Sequence, residues 1–575
     1  MTFINEKVIE LKQCKHCDTR FEITDKDSEF YEKVSPVFAG KKYNIPSPTL
    51  CPECRQQRRL SFRNERNLYK RKCDFSDKLI FSFYPQNVEF PVYDRDIWHS
   101  DKWDATTYGI DFDFGKSFFE QFLLLRNSVP HFSKSVLNGE NCDYSNNFSN
   151  CKNCYLCFNG GEGEDCYYSI NFKDVKNCVD CYQTNFSENC YGCIDCQNCN
   201  KVFFGQDSSN CFDSYFIKNC VGCQNCFGCK NLTNKSYCIE NKQYSKEDYF
   251  LKLSEIIKNT SFENLKVKFS NFFLSLPEKS FHGLNNENCI GDYINNSKNV
   301  NKSNDIVSCE NIKYCANIKE NSKNLMDVDL FGWILNNCYE SGVIGDSGNK
   351  LLFCFDCWEN VDNLLYCMNC VENSKNCFAS VGIRAKEYCI LNKQYTKEEY
   401  EILVPKIIEH MKKTGEWGEF FPSSISPFGY NETVAQEYFP LTKEEAEKKG
   451  FNWSNYDAPF PKVEKVIKAS MLPENIKDIP DDILNWAIES ELESTEGFSP
   501  LYRIIGQELE FYRKHNLPIP KRHPDQRHID RMKLRNPRKL YDRKCDKCGV
   551  DMKTTYSPEK PEIVYCQTCY NKEVY

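Results

Sequence analysis

No segment of the chain is apolar over the length that a secretion signal or a membrane span needs. Met1 to Leu11 already carries Glu6 and Glu10, and nothing later approaches an uninterrupted hydrophobic run. The expectation is a cytoplasmic protein with no membrane partner. Signatures of common catalytic sites are missing too. There is no phosphate-binding P-loop, no GxGxxG, no GxSxG and no HExxH, and the eight histidines form no triad-like or metal-binding group. Only His523 and His528 fall close together, in a basic segment where they add charge. An enzyme is therefore not the expected reading. Positive charge is in deficit as well: a net charge of -8 and a pI near 5.7 exclude a globally basic nucleic-acid binder but leave room for a local basic patch. With 40% hydrophobic, 27% charged and 14% aromatic residues the chain is a folded one. Its 575 residues exceed a single core and suggest about three to four domains.

What the chain has in abundance is cysteine, 36 residues in all. In a reducing cytoplasm a disulfide framework is the wrong default, so metal ligation or burial of Cys as a small hydrophobe must account for them. They fall into three groups: five from Cys14 to Cys73, twenty-seven from Cys142 to Cys389, and four from Cys545 to Cys569. The first group contains two CxxC knuckles, Cys14/Cys17 and Cys51/Cys54. The last contains Cys545/Cys548 and Cys566/Cys569, with a Ser557-Pro558 turn that suits a ribbon hairpin. Two such pairs let four thiolates close tetrahedrally on one zinc ion, because each short turn aims two sulfurs at the same point. Four sulfurs leave no open coordination position, so both groups read as structural sites, and two Zn2+ ions are expected.

The two ends are related to each other. Arg63 to Cys73 (RNERNLYKRKC) aligns without gaps on Arg535 to Cys545 (RNPRKLYDRKC), an offset of 472. Carried forward, this sets Ser76, Asp94 and Ile97 against Cys548, Cys566 and Cys569. Carried backward, it sets Cys51-Pro-Glu-Cys54 against His523-Pro-Asp-Gln526, and Glu29 to Lys33 echoes Glu510 to Lys514. Each end thus reads as a knuckle module followed by a ribbon, with complementary halves keeping their ligands. Cys73 is the orphan of a lost site.

These residues carry a resemblance. The stretch from Cys14-x2-Cys17 through Glu29-Phe30-Tyr31 to Cys51-Pro-x-Cys54-Arg55 resembles a small bacterial domain identified as a zinc ribbon, or treble-clef-like, domain. The order of CPECRQQRRLSFRNE, SDKWD, the Asn-Cys region, SPFGYNETVAQEYFPLTKEEA and the final ribbon is similar to uncharacterised cysteine-rich zinc-ribbon proteins of Candidate Phyla Radiation bacteria. Those are often labelled CaiB/BaiF acyl-CoA transferases, but the alternating strand and helix pattern of such a transferase is missing here. The resemblance implies a fold and zinc ligands, and no activity.

Between the ends, cysteine recurs every fifteen residues from Cys151 to Cys226, the register of a β-solenoid whose coils stack like on like. Asn precedes Cys thirteen times; an Asn at a tight corner tolerates left-handed backbone angles. Tyr237 to Tyr249 matches Tyr388 to Tyr400 at an offset of 151, and Ser245 and Thr396 read as N-caps of helices that close two solenoid halves. Cys190 to Cys199 and Cys220 to Cys229 repeat CxxC in a way that resembles part of an iron-sulfur pattern. Core filling is favoured over metal, because the slot after Asn-Ser-Lys-Asn accepts Val300, Leu325 or Cys377. The fold class expected is mainly β with small α+β zinc modules: a double Cys/Asn-rich β-solenoid flanked by N- and C-terminal zinc ribbons.

The sequence divides at 1–66 (treble-clef-like zinc module with a basic helix), 67–135 (degenerate ribbon and aromatic helix), 136–265 and 280–415 (solenoid halves with capping helices). There follow 416–497 (irregular Pro/aromatic and acidic connector) and 498–575 (metal-lost knuckle, basic helix and zinc ribbon). After each knuckle comes a stripe of arginines, Arg55, Arg59, Arg63 and Arg66 in one copy and Arg527, Arg531, Arg535 and Arg538 in the other. Steps of four, four and three place them on one helical face. Cys51 to Cys73 carries eight basic and two acidic residues, and Lys521 to Cys545 ten and three. Guanidinium groups so spaced can follow a phosphate backbone; they can equally pair with acidic surface of the same chain, such as Asp478 to Glu496. The leading expectation is a non-enzymatic zinc scaffold touching RNA, the ribosome or DNA through these helices. The alternatives are a protein-protein interaction scaffold whose arginines are internal, and a thiol-based metal-handling or redox protein.

Overall fold

A computed structural model describes residues 5–329, 335–337, 339–340, 342–344, 352–353, 355–357, 362–456, 462–491 and 500–574. Most of the regular structure is sheet, and its largest unit is a ten-stranded sheet running from Val136–Glu140 to Lys242–Gln243, parallel except for the last strand. Its register is constant. Phe148 pairs with Gly160, Gly160 with Phe172 and Tyr167 with Val179, each a step of twelve residues. A second parallel array runs from Gly283–Leu284 to Lys393–Gln394, with a looser step: Cys289 pairs with Val300, Val300 with Ile312, and Ile312 with Leu325.

The local rule behind this register has a period of three. Every third residue from Asn147 to Glu240 has φ between +46° and +65°. Asn and Asp fill many of these slots because their short polar side chains tolerate the left-handed region. Side-chain amides also stack from step to step, with Asn141 Nδ2 donating to Asn153 Oδ1 at 3.0 Å and Asn153 to Asp165 at 2.9 Å. The residue after each left-handed one turns inward, which is why Asn-Cys recurs. The inward space is narrow and lined by carbonyl oxygens. Cys157 Sγ donates to Cys166 O at 3.2 Å, and at the same kind of position Ser169 Oγ donates to Cys178 O at 3.3 Å and Thr184 Oγ1 to Cys193 O at 3.4 Å. Cysteine is small, apolar and a weak donor, which is what this lining asks for.

A period of three corrects the fifteen-residue reading. Cysteines fall at intervals of three, so many multiples of three recur among them, whereas strand pairing advances by twelve. Among the described residues no cysteine of the two parallel arrays joins a group of three or more convergent ligands; only the two terminal groups do. Cys338 and Cys354, and the side chain of Cys357, lie outside what is described.

Each parallel array ends in a short antiparallel hairpin and a helix: Lys246–Asn259, N-capped by Ser245, and Lys397–Thr414, N-capped by Thr396. No helix among the described residues is long and apolar enough to cross a membrane. Strand Val92–Tyr93 of the N-terminal ribbon pairs in parallel with His131–Phe132, just ahead of the first array. Val564–Tyr565 of the C-terminal ribbon pairs in the same way with Glu278–Lys279, just ahead of the second.

Candidate metal centres

The sulfurs of Cys14, Cys17, Cys51 and Cys54 lie within 4.8 Å of one another, and so do those of Cys545, Cys548, Cys566 and Cys569. In the first group, strand Val8–Gln13 leads into a tight turn in which Cys14 N–H donates to Thr19 O at 3.0 Å, and Asp18 takes φ 59°. Cys51 caps helix Pro52–Leu60, with Pro52 in its first turn, and Cys54 follows one turn on. The Cys51 amide donates to Cys14 Sγ at 3.3 Å. The second group repeats the plan: Cys545 follows strand Tyr541–Lys544, Gly549 takes φ 75°, the Cys566 amide donates to Cys545 Sγ at 3.2 Å, and Cys569 lies on helix Gln567–Val574.

Each group holds one thiol whose surroundings favour thiolate, while burial or a neighbouring sulfur raises Cys14, Cys54 and Cys569. A hydrogen bond from the Cys54 thiol brings Cys51 down to about 5. Burial opposes the Cys545 thiolate, but backbone amides, the Cys566 amide foremost, outweigh it and bring that thiol down to about 6. In each group four sulfurs converge and one is poised to ionise, Cys51 in the first and Cys545 in the second, which fits a closed tetrahedral ion.

The two metal-less counterparts keep the backbone. At Cys73 the amide donates to Lys78 O at 2.8 Å, and Asp77 N–H donates to Cys73 O at 2.9 Å. At Cys545 the matching bonds, to Val550 O and from Gly549 N–H, are both 2.9 Å. Where Cys566 N–H meets Cys545 Sγ, Asp94 N–H meets Cys73 Sγ at the same 3.2 Å. Helix Pro524–Lys533 likewise stands where Pro52–Leu60 does, with His523 in the place of Cys51.

The arginine stripe expected to face a phosphate backbone is instead committed inward. Arg55 meets Asp327 at 2.8 Å, Arg59 meets Asp329 at 2.6 Å, Arg63 meets Glu65 at 2.6 Å and Arg66 meets Asp525 at 2.6 Å. Arg527 and Arg531 share Asp180 at 2.5 and 2.7 Å, Arg535 spans Asp195 and Asp305 at 2.8 and 2.6 Å, and Arg538 reaches Asp305 at 3.3 Å. Burial opposes the charge on Arg55 and Arg527, and the carboxylates of Asp327 and Asp180 outweigh it, so both guanidinium groups are held above their usual range. The acidic stretch from Asp478 contributes an exposed Asp481–Arg513 pair at 2.6 Å rather than these carboxylates; its residues 492–496 lie outside those described.

The docking is crossed and nearly symmetric. The N-terminal helix sits on the second array, where Arg55 lies over Tyr314 and bonds Asp327. The C-terminal helix sits on the first, where Arg527 lies over Tyr168 and bonds Asp180. In both arrays the ring comes one pairing step ahead of the carboxylate, Tyr314 thirteen positions before Asp327 and Tyr168 twelve before Asp180. A buried acid of the preceding helix faces the same spot: Asp27 bonds Lys313 at 2.7 Å, and Glu508 accepts from Tyr168 Oη at 2.8 Å. The receptor aspartates were not singled out from the sequence. Asp180, Asp195, Asp305 and Asp327 all occupy left-handed slots, with φ of 57°, 52°, 57° and 59°. That property, together with an offset of 147 between Asp180 and Asp327, is the signal that would have found them. No known protein family, curated protein or solved structure matches this chain.

Proposed function

We propose that the protein is a non-enzymatic cytoplasmic scaffold in which two zinc ions close the outer knuckle and the outer ribbon, while the arginine helices lock the body of the molecule from both sides. The observation that carries this reading is that each of the eight arginines lies within 3.3 Å of a carboxylate of the same chain. A guanidinium shared between buried carboxylates has little left to offer a phosphate backbone. Protein partners are therefore the proposed ligands of this scaffold, in preference to RNA, the ribosome or DNA.

The constant step of twelve in the first array, the step of eleven to thirteen in the second, the inward residue after each left-handed one and the hairpin-helix ends support a body built as two β-solenoid halves. Zinc is the metal favoured by two all-sulfur donor sets, and the resemblance to cysteine-rich zinc-ribbon proteins points the same way. Metal analysis of the purified protein tests the first part: two zinc ions per chain are expected, and bound iron or a large excess of metal would restore the thiol-chemistry reading. Retention on immobilised RNA and DNA at low salt tests the second. None that falls with salt is expected, and replacing Arg55, Arg59, Arg527 and Arg531 together should damage the fold. Salt-sensitive retention by the natural chain, lost in a variant that still folds, would restore the nucleic-acid reading.

A further inference from the structure

The two closing helices descend from one repeated sequence but are covered differently. Lys397–Thr414 buries Tyr400, Val404, Ile407, Ile408 and Met411. Part of its cover is the hairpin Val37–Phe38/Lys41–Lys42 of the N-terminal module: the Phe38 ring lies 6.0 Å from that of Tyr400, and the Ala39 amide donates to Glu401 Oε2 at 3.2 Å. Helix Lys246–Asn259, 151 positions earlier, buries only Tyr249. Ile257 is 44% exposed where its counterpart Ile408 is 0% exposed.

The C-terminal module lacks the matching hairpin. Its helices Gly506–His515 and Pro524–Lys533 match Asp25–Val34 and Pro52–Leu60, but the offset falls from 481 to 472 between the first pair and the second. The link is nine residues shorter, and the covering hairpin belongs to the missing piece. A face that had simply lost its cover would be expected to turn polar. Here the position of Glu401 holds Phe250 instead, 47% exposed. Phe250 and Ile257 share one exposed face at helical spacing, with Leu253 between them already packed on the cluster of Tyr249 and Phe269, and Glu247 near the start and Lys258 near the end flank it. Among the described residues neither of those charges has an ion-pair partner.

We propose that this face is where a second copy of the chain binds, the two helices lying antiparallel across a two-fold axis. In that arrangement Glu247 of one copy meets Lys258 of the other, twice over, and Phe250 and Ile257 interdigitate between them. The helix carries Lys246, Lys252 and Lys258 against Glu247, Asp248 and Glu255, so it suits its own copy better than a partner of one sign. The interface goes beyond the scaffold reading and is independent of the metal's identity.

Sedimentation velocity on the full metal-loaded chain, from low to high micromolar concentration, is the test. A reversible dimer is expected. Phe250→Glu combined with Ile257→Glu should weaken it by about tenfold or more, and Glu247→Lys should weaken it until Lys258→Glu is added. Zero-length carbodiimide coupling should link Glu247 to Lys258. Within one helix these side chains are about 16 Å apart, so that link forms only between copies. A natural chain that stays monomeric throughout, or a dimer that survives the double glutamate variant with its metal content and melting unchanged, overturns the proposal. If the glutamate variant does not fold, the charge swap decides, and a Glu247→Lys chain that dimerises like the natural one overturns it as well.

Discussion

The two ends of the molecule contain the same pair of modules, and each end keeps its four sulfurs in a different one. The ribbon without ligands is packed: Tyr69, Arg71, Ile80 and Ser82 are buried along its strands, beneath a cluster that includes Phe83, Tyr84, Phe90 and Trp98. The ribbon with ligands is bare: along Tyr541–Lys544 and Asp551–Thr554 only Thr554 is buried. The knuckles show the reverse arrangement. Strand Val8–Gln13, beside four sulfurs, buries no residue, whereas Trp486–Glu489, which pairs with Leu501–Tyr502 ahead of the other knuckle helix, buries Ala487 and Ile488, the latter in a cluster with Leu509, Phe511 and Tyr512. In the N-terminal knuckle the sulfurs are themselves part of a small core, with Phe21 and Ile23 packed on Cys14, Cys51 and Cys54, whereas the counterpart without them leans on the larger cluster around Tyr512.

The sharpest way to break this contrast is to remove one sulfur from each kind of module. Cys51→Ser should free the N-terminal knuckle, since metal closure of small domains is worth on the order of 10 kcal/mol. It should also release Arg55 and Arg59, whose helix starts at Cys51. Metal content should drop from two ions to one, and limited proteolysis should open the segment before Leu60. Next in size are the receptors of the crossed helices. Asp327→Ala and Asp180→Ala each strand buried guanidinium groups, at a cost of about 3–5 kcal/mol in chemical denaturation. Comparable losses are expected at the metal-held and the packing-held end, because the two receptors are built alike.

A pH titration separates the ends again. Burial opposes the charge on His282, but Asp292 and Asp207 outweigh it and raise the imidazole to about 9. Its ring stacks on Tyr293, and its Nδ1 lies 3.0 Å from Asp292, which also accepts from Thr555 of the C-terminal ribbon. A raised pKa stabilises the fold fully below the unfolded value near 6.5, and the contribution fades as pH climbs through about 9. The amount is about 3 kcal/mol. Denaturation midpoints should fall over that window, and His282→Asn should flatten the fall. At the corresponding entrance to the first array, an offset of 147 puts Ser135 and Ser145, which do not titrate there. The smallest effect is expected at Cys73→Ser. The serine oxygen can still accept the Asp94 amide, so a thermal melt should register a change of no more than about 1 kcal/mol, with metal content unaltered.

Much of this molecule is legible in its residues, for reasons that differ by region. The sulfur groups can be read because coordination fixes ligand type and spacing within a short turn. The paired ends can be read because the modules without four sulfurs kept the turn and strand residues that their backbone needs, down to the tyrosine, arginine and lysine before Cys73. The left-handed asparagines follow from side-chain chemistry. The step of twelve was hidden because inward residues fall at every third position, so a period of fifteen fits the cysteines equally well. The destination of the arginines was hidden for a different reason. Helical spacing sets the face on which Arg55 and Arg59 lie, but their acceptors are outward aspartates more than 260 residues away, at Asp327 and Asp329. Nothing local marks those aspartates as partners.

The crossed docking also sets a clock. On the ribosome, Asp180 and the inward cysteines around it are made early, but Arg527, which meets that carboxylate, is 347 residues downstream. At roughly 5–20 residues per second, the first array waits some tens of seconds for its guanidinium partners. The second array waits as well, since Glu278–Lys279 gains its paired strand only when Val564–Tyr565 emerges. Both arrays are therefore made before the segment that seals them: Asp180 and Asp305 wait for Arg527 and Arg535, and Glu278–Lys279 waits for Val564–Tyr565.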